Sequence, residues 1–361
     1  MAAGKDCDMQ TLLLNAADVD ANAETDRVID AVEGAFAAYE RGDATMPAKS
    51  YVDLPEYGGD FRSMPAYLDV REGDTRAETE RGDGWDAAGV KWVNSHPDNA
   101  ADHGLPTVMG TVIYSDPETG FPLAVVDGRT LTTKRTGAAA AVATDHLAVP
   151  DASSLGIVGA GVQSYTQLEA IAAVRDVEEV VVSDPDEGRV ADFVDSFEDR
   201  FDVRAGSPAE AGGCDVLSTV TPVEDPIVGP DDVCDHTHVN AMGADAAGKH
   251  ELADELLTDA TIVIDDHEQC THSGEINVPY AAGTLTDDDI YGELGEIVVG
   301  RRAGRAGTRG ADAADGEGVT GVTVFDSTGL AIQDVAAARV VYERADEAGN
   351  GYPFDLLGLD G

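Results

Sequence analysis

Between residues 155 and 266 short apolar runs alternate with polar or helical stretches. The runs are "LGIVGAG", "VEEVVVSD", "DVLSTVT", "HVNAMGAD" and "TIVIDD". A helical pattern follows the first, and the helical "ADFVDSFEDRF" follows the second. Apolar runs alternating with helices demand a parallel sheet covered by helices on both faces. This α/β unit is expected over residues 151–326.

The flanking sequence follows another grammar. "ETDRVIDAVEGAFAAYERGD" places Val28, Ile29, Val32, Phe36 and Tyr39 at helical spacing, and Gly42 ends it. Short strand-like pieces follow, "KSYVDL", "AGVKWVNS", "PTVMGTVIYSD" and "FPLAVVDG", broken by Pro/Gly turns. They predict a mostly antiparallel sheet with flanking helices. "TKRTGAAAAVATDHLA" is an Ala-rich helix ending near Pro150. "TVFDSTGLAIQDVAAARVVYERA" gives a strand, a turn and a long helix that returns to the first unit. Residues 1–150 plus 327–361 therefore form one α+β domain. Residues 71–86 read as a polar surface insertion, and 301–318 as a mobile surface loop.

Composition narrows the partners. Seventy acidic residues against 23 Lys and Arg leave a net charge of −47. Such charge argues against nucleic acid or an anionic membrane as a partner. It suits a cytosol of molar salt, where the Debye length falls to about 3 Å and self-repulsion is screened. No run of 18 apolar residues offers a membrane span. "MAAGKDCDMQ" lacks the apolar core of a secretion signal, so the expected location is cytoplasmic. Four scattered cysteines give no disulfide framework.

"GIVGAGVQSYTQL" follows a predicted strand and opens a predicted helix. Gly159 permits the tight turn, Gly161 lets the backbone approach a pyrophosphate, and Ser164 is small enough for helix to meet strand. The helix, beginning at Val162 and Gln163, aims free N–H groups at the phosphates. Asp184 ends the next strand, where a carboxylate binds a ribose 2′-hydroxyl and repels a 2′-phosphate. NAD is therefore the expected cofactor. The competing readings are a plain Gly-rich turn and, for Asp184, a helix cap before Pro185.

The catalytic candidates stand out because lysine is scarce: Lys5, Lys49, Lys91, Lys134 and Lys249 are all there are. Lys91 lies in an apolar strand whose neighbours Val90 and Trp92 point to the other face. A lysine in a partly buried cleft loses solvation, its pKa falls, and it can act as acid or base near neutrality. The alternative is a snorkelling lysine at a sheet edge. Lys49 and Arg62 are cations able to hold a carboxylate, unless each is a surface ion pair. Arg135 is read at the start of the Ala-rich helix, where its charge opposes the dipole and needs an anion. Asp245, just past a predicted strand, lies where open α/β sheets bind ligands and can handle a proton; otherwise it caps the next helix. "CDHTH" and "HEQCTH" lack regular zinc spacing, so no metal is expected. His236 and His238 read as residues on one face of a strand.

Several motifs together, among them "FRSMPAYL", "AGVKWVNSHPDN", "TKRTGAAAA", "GIVGAGVQS", "NAMGADAAGKHEL", "HSGEINVPY" and "TVFDSTGLAIQD", resemble the ornithine cyclodeaminase/mu-crystallin family. They look most like its archaeal alanine dehydrogenase branch. The resemblance covers nearly the whole chain. It implies a homodimer, with a Rossmann dinucleotide-binding domain inserted into an α+β substrate/dimerisation domain. By resemblance Lys91 is the catalytic acid/base and Asp245 the second proton-handling residue. Arg135 and Thr136 meet cofactor phosphates or substrate. Gly243, Ala244, Asp245, Lys249 and Ser327 lie on the cofactor side. Lys49 stands where cyclodeaminases use an arginine.

The implied activity is NAD-dependent oxidative deamination of L-alanine to pyruvate and ammonia, and its reverse. The alternatives are ornithine cyclodeaminase, which forms proline and recycles NAD, and a mu-crystallin-like ketimine reductase or ligand-binding protein.

Overall fold

The computed structural model describes residues 10–70, 84–309 and 318–359. Most of the two inserts, residues 71–83 and 310–317, thus lies outside the described residues. Two eight-stranded sheets organise the rest. The first holds β1 (Thr11–Leu14), β2 (Ala44–Thr45), β3 (Ser50–Leu54), β4 (Gly59–Asp69), β5 (Asp86–Ser95), β6 (Val108–Ser115) and β7 (Pro122–Asp127). It is antiparallel except where β1 runs parallel to β7.

The second sheet holds β8 (Ser154–Val158), β9 (Glu179–Ser183), β10 (Asp202–Ala205), β11 (Val216–Thr219), β12 (His238–Ala241), β13 (Thr261–Ile264), β14 (Ile290–Glu293) and β15 (Thr323–Asp326). It is wholly parallel, in the order β10-β9-β8-β11-β12-β15-β13-β14. The order reverses between β8 and β11. Beyond the carboxyl ends of these two strands lies the crevice where sheets of this kind bind ligands. The fold is therefore an α/β Rossmann unit joined to an α+β unit, and β16 (Tyr352–Phe354) returns to pair with β1.

Local chemistry sets the helix limits. Asn15 and Asp18 form a capping box on α1 (Ala16–Asn22). Gly42, left-handed at φ 83°, ends α2 (Thr25–Arg41). Asp127 caps α3 (Gly128–Leu147) by accepting from Thr130 N at 2.9 Å. Three further helices matter below: α4 (Val162–Ile171), α5 (Glu187–Phe197) and α6 (Ala331–Ala348). Helices α2, α3 and α6 cover one face of the first sheet and bury Phe36, Leu68, Val112, Leu131 and Val335. Each such side chain contributes about 1.5–3 kcal/mol.

Helix α3 belongs to both units. It packs on α2 and β6 on one side and on α4 and β12 on the other. Its small residues permit this: a Cβ on Gly137 would lie 2.4 Å from the Thr166 carbonyl oxygen of α4.

Three expectations are corrected. The helix begins at Gly128, so Arg135 sits two turns inside it, not at its N-terminus, and its charge does not oppose the dipole there. The loop expected over 301–318 is not wholly a surface: Ala303 and Arg305 are buried, and Arg305 Nε donates to the Leu147 carbonyl at the end of α3. His236 and His238 do not share a strand face. His238 begins β12, buried between Thr323 and Asn240, whereas His236 precedes the strand and pairs with Asp215 at 2.9 Å. Among the described residues no His, Cys, Asp and Glu gather as a metal site, and no helix is long and apolar enough to cross a membrane.

Candidate active site

The turn after β8 is built for close approach. Gly159 has φ 104°, and a Cβ there would come within 2.9 Å of the Val220 carbonyl oxygen. A Cβ on Gly161 would meet nothing within 4 Å, so the backbone there faces open space. Gly161 also caps α4 without any side-chain acceptor, which leaves the first N–H groups, at Val162 and Gln163, unclaimed by a cap. Ser164 is fully buried and donates to the Gly161 carbonyl at 2.6 Å. Asp184 leaves β9 and accepts from Ala160 N of the glycine turn at 2.8 Å and from Asp186 N at 2.8 Å. Asp186, not Asp184, caps α5. Free amides, a glycine opening on space and a carboxylate at the next strand end together fit a dinucleotide.

The loops after the other parallel strands close on the same edge. Glu251, fully buried, accepts from Thr221 N and Thr221 Oγ1, both at 2.7 Å, from Thr219 Oγ1 at 2.7 Å and from Gly243 N at 3.0 Å. It thereby ties the loop after β11 to the Gly243–Asp245 loop after β12. Asp265, after β13, accepts from Ser327 Oγ and Gly329 N, both at 2.9 Å, and so shapes the loop between β15 and α6.

Lys91, on β5 of the first sheet, is linked through Asp334 and Arg135 to the loop between β15 and α6. Its register partners are Met64 and Val112, and its side chain points to the helix-covered face. It is 2% exposed. Its Nζ lies 2.6 Å from Asp334 Oδ2 and 3.4 Å from Thr132 Oγ1. The other oxygen of Asp334 accepts from Arg135 Nε at 3.1 Å, and Arg135 also donates to Gln333 Oε1 at 3.1 Å. Gly329 makes room: a Cβ there would sit 2.3 Å from the Arg135 guanidinium. Burial lowers the Lys91 pKa to about 8, Asp334 pulls it back up, and Arg135 and Lys49 push it down. Arg135 therefore has its anion within the protein, and Thr136 beside it is buried against α4.

Lys49 lies just before β3, its Nζ 3.5 Å from the Thr328 carbonyl. Burial lowers its pKa, against the pull of Asp265. Arg62, on the same face of β4 as Met64, holds Asp60 through two bonds of 3.0 and 3.1 Å. Its remaining nitrogen faces Asp245 at 3.5 Å, a contact between the two units. Asp245 also accepts from Lys249 at 2.8 Å. Partial burial pushes the Asp245 carboxyl up, but Lys249, Arg62 and Lys49 outweigh this and hold it below the ordinary carboxylate range. Asp245 caps no helix, since the next one begins at Asp254.

The candidates thus fall into three groups: Lys91, Arg135 and Lys49; Arg62, Asp245 and Lys249; and Gly159, Gly161 and Asp184. Sequence reasoning missed Asp334, Gln333, Asp265 and Glu251. One signal was available. "GLAIQDVAAARVV" sets a Gln–Asp pair into an otherwise apolar run, and a buried polar pair needs partners.

The family model of the ornithine cyclodeaminase/mu-crystallin family matches residues 9–349. An alanine dehydrogenase of Archaeoglobus fulgidus is 44% identical over 338 residues, covering 93% of this chain and 96% of that protein. Among solved structures, an archaeal alanine dehydrogenase dimer with bound NAD superimposes with a TM-score of 0.84 at 42% identity, covering 96% of this chain and 99% of that one. Thermococcus litoralis Delta(1)-pyrroline-2-carboxylate reductase, in complex with NADH and L-proline, gives 0.82 at 32% identity, covering 95% and 99%.

Proposed function

Because the chain belongs to the ornithine cyclodeaminase/mu-crystallin family, we propose that it is an NAD-dependent L-alanine dehydrogenase, converting alanine and water to pyruvate and ammonia and running the reverse amination. The observation that carries the reading is Lys91: a buried amine, held 2.6 Å from Asp334, whose pKa burial lowers to about 8. NAD, when bound, supplies a hydride acceptor for the alanine Cα. Gly159, Gly161, Val162 and Gln163 would cradle its pyrophosphate, with Asp184 at the ribose.

The chain's own part is to orient and to move protons. Lys49 and Arg62 present cations for the substrate carboxylate. Neutral Lys91 takes a proton from the substrate ammonium at Nζ, freeing the nitrogen lone pair that oxidation at Cα requires. Protonated Lys91 returns a proton to the departing nitrogen after water adds. Asp245, held ionised between Arg62 and Lys249, steadies positive charge on the reacting nitrogen. Oxidation needs neutral Lys91, so kcat/KM for alanine rises with pH through about 8; amination of pyruvate needs the protonated form and falls over the same range.

The face of the first sheet opposite Lys91 carries Pro65, Val90, Trp92 and Ile113, with Trp92 45% and Ile113 41% exposed. A second copy covering this face would make a homodimer, which the dimeric relative supports. Residues 1–150 with 327–361 would be the substrate and dimerisation domain, 151–326 the cofactor domain. The charge of −47 supports a salt-rich cytosol.

The test is NADH absorbance in molar KCl with NAD and L-alanine, then with L-ornithine plus a proline assay. Steady NADH production from alanine is expected. Proline formed from ornithine without net NADH would overturn the reading in favour of a cyclodeaminase.

A further inference from the structure

Lys91, Asp334 and Arg135 form a buried chain of charge in which one carboxylate serves two cations. Resting on the proposed role of Lys91, we infer that Asp334 is a positioning residue, shared with Arg135, that keeps Lys91 able to exist in both protonation states. The geometry gives each partner a distinct effect. Asp334 Oδ2 meets Lys91 Nζ at 2.6 Å, and Oδ1 meets Arg135 Nε at 3.1 Å. Arginine stays charged at every working pH. Asp334 is therefore neutralised by Arg135 even after Lys91 gives up its proton, and no bare buried carboxylate is left behind.

Without Arg135, Asp334 would keep Lys91 as its one bonded cation, and each would hold the other charged. Without Asp334, Lys91 would face only cations and would stay neutral. The native arrangement lies between these limits. The charged groups facing Lys91 are Asp334 from α6, Arg135 from α3 and Lys49 from the segment before β3. Arg62 on β4 and Asp265 after β13 act on the neighbouring Lys49. Thr132 on α3 adds a hydroxyl at 3.4 Å, and its own proton is committed to the Gly128 carbonyl at 2.6 Å.

The experiment reads Lys91 directly. With only five lysines in the chain, lysine-selective ¹³Cε labelling gives few resonances, and Lys91→Met assigns the one of interest. Its titration midpoint is followed by NMR in molar KCl, with and without NADH, alongside the pH profile of kcat/KM. In Asp334→Asn the midpoint is expected to fall by about one pH unit or more, and in Arg135→Gln to rise by a similar amount. The limb of the rate profile should move with it. A merely structural role would lower turnover without moving the midpoint. A midpoint that stays put, or moves the same way in both variants, overturns the inference. If one variant does not fold, the sign in the other decides. The expected midpoints in a protein that oxidises no alanine would refute the proposed activity alone; normal alanine turnover with an unmoved midpoint would refute this network alone.

Discussion

Lys91 should be a burden on stability, one that the proposed proton transfer would require. Its pKa falls from 10.5 in the unfolded chain to about 8 in the fold. At about 1.36 kcal/mol per pH unit, the folded state disfavours the charged amine by about 3 kcal/mol. The sign follows from proton counts. Between pH 8 and 10.5 the unfolded chain binds the extra proton, so the wild type gains stability as pH rises through that window. Below pH 8 the full penalty stands. Lys91→Met removes the titrating group and keeps the length of the stem, while Asp334 retains Arg135 as its partner. The variant is expected to be up to about 3 kcal/mol more stable than wild type at pH 7, with the advantage shrinking to near zero by about pH 10.5. Urea unfolding of both proteins at fixed ionic strength, at the two pH values, measures it. A variant less stable than wild type at pH 7, or a difference independent of pH, would refute the reasoning. The same variant should bind NADH normally and lose about 10²–10⁴-fold in turnover.

Three other outcomes are expected. Asp184→Asn weakens NADH binding about tenfold or more in a fluorescence titration and narrows the preference for NAD over NADP, because a charge-assisted acceptor is lost. Gly137→Ala forces a Cβ to within 2.4 Å of the Thr166 carbonyl; the overpacking should cost about 1–3 kcal/mol in urea unfolding and raise the KM for NAD. Dilution from molar KCl to about 0.01 M salt lengthens the Debye length from about 3 Å to about 30 Å, and the melting temperature should fall steeply under the self-repulsion of a net charge of −47.

Much of this was readable in the residues. Apolar runs fixed the parallel sheet, because strands buried on both faces show no polar alternation. The glycine turn and Asp184 stood out through their offsets along the chain, and Lys91 through the scarcity of lysine. The carboxylates that matter did not. Asp334, Asp265 and Glu251 are three acids among 70, and in so acidic a chain composition hides function. What separates them is burial, which depends on partners distant in sequence: Asp334 lies 199 positions from Arg135. The error at Arg135 had a local cause. Asp127 caps the helix, which starts at Gly128, whereas the Ala-rich pattern is visible in the residues only from Thr133.

Helix α3 has a mechanical consequence. It is embedded in the cores of both units: Thr144 bonds to Asn240 of β12 at 3.0 Å, and Leu131 fills the core beneath the first sheet. Beside it, Tyr39 of α2 reaches Asp266 across the same junction at 2.8 Å. Rotation of one unit against the other would have to tear apolar packing here. The units also meet through Arg62 and Asp245, a charged contact that water and salt can dissolve. Breathing between the units should open at this charged contact before it disturbs the packing around α3. The rate at which product escapes should then respond to ionic strength far more than to side-chain volume along α3.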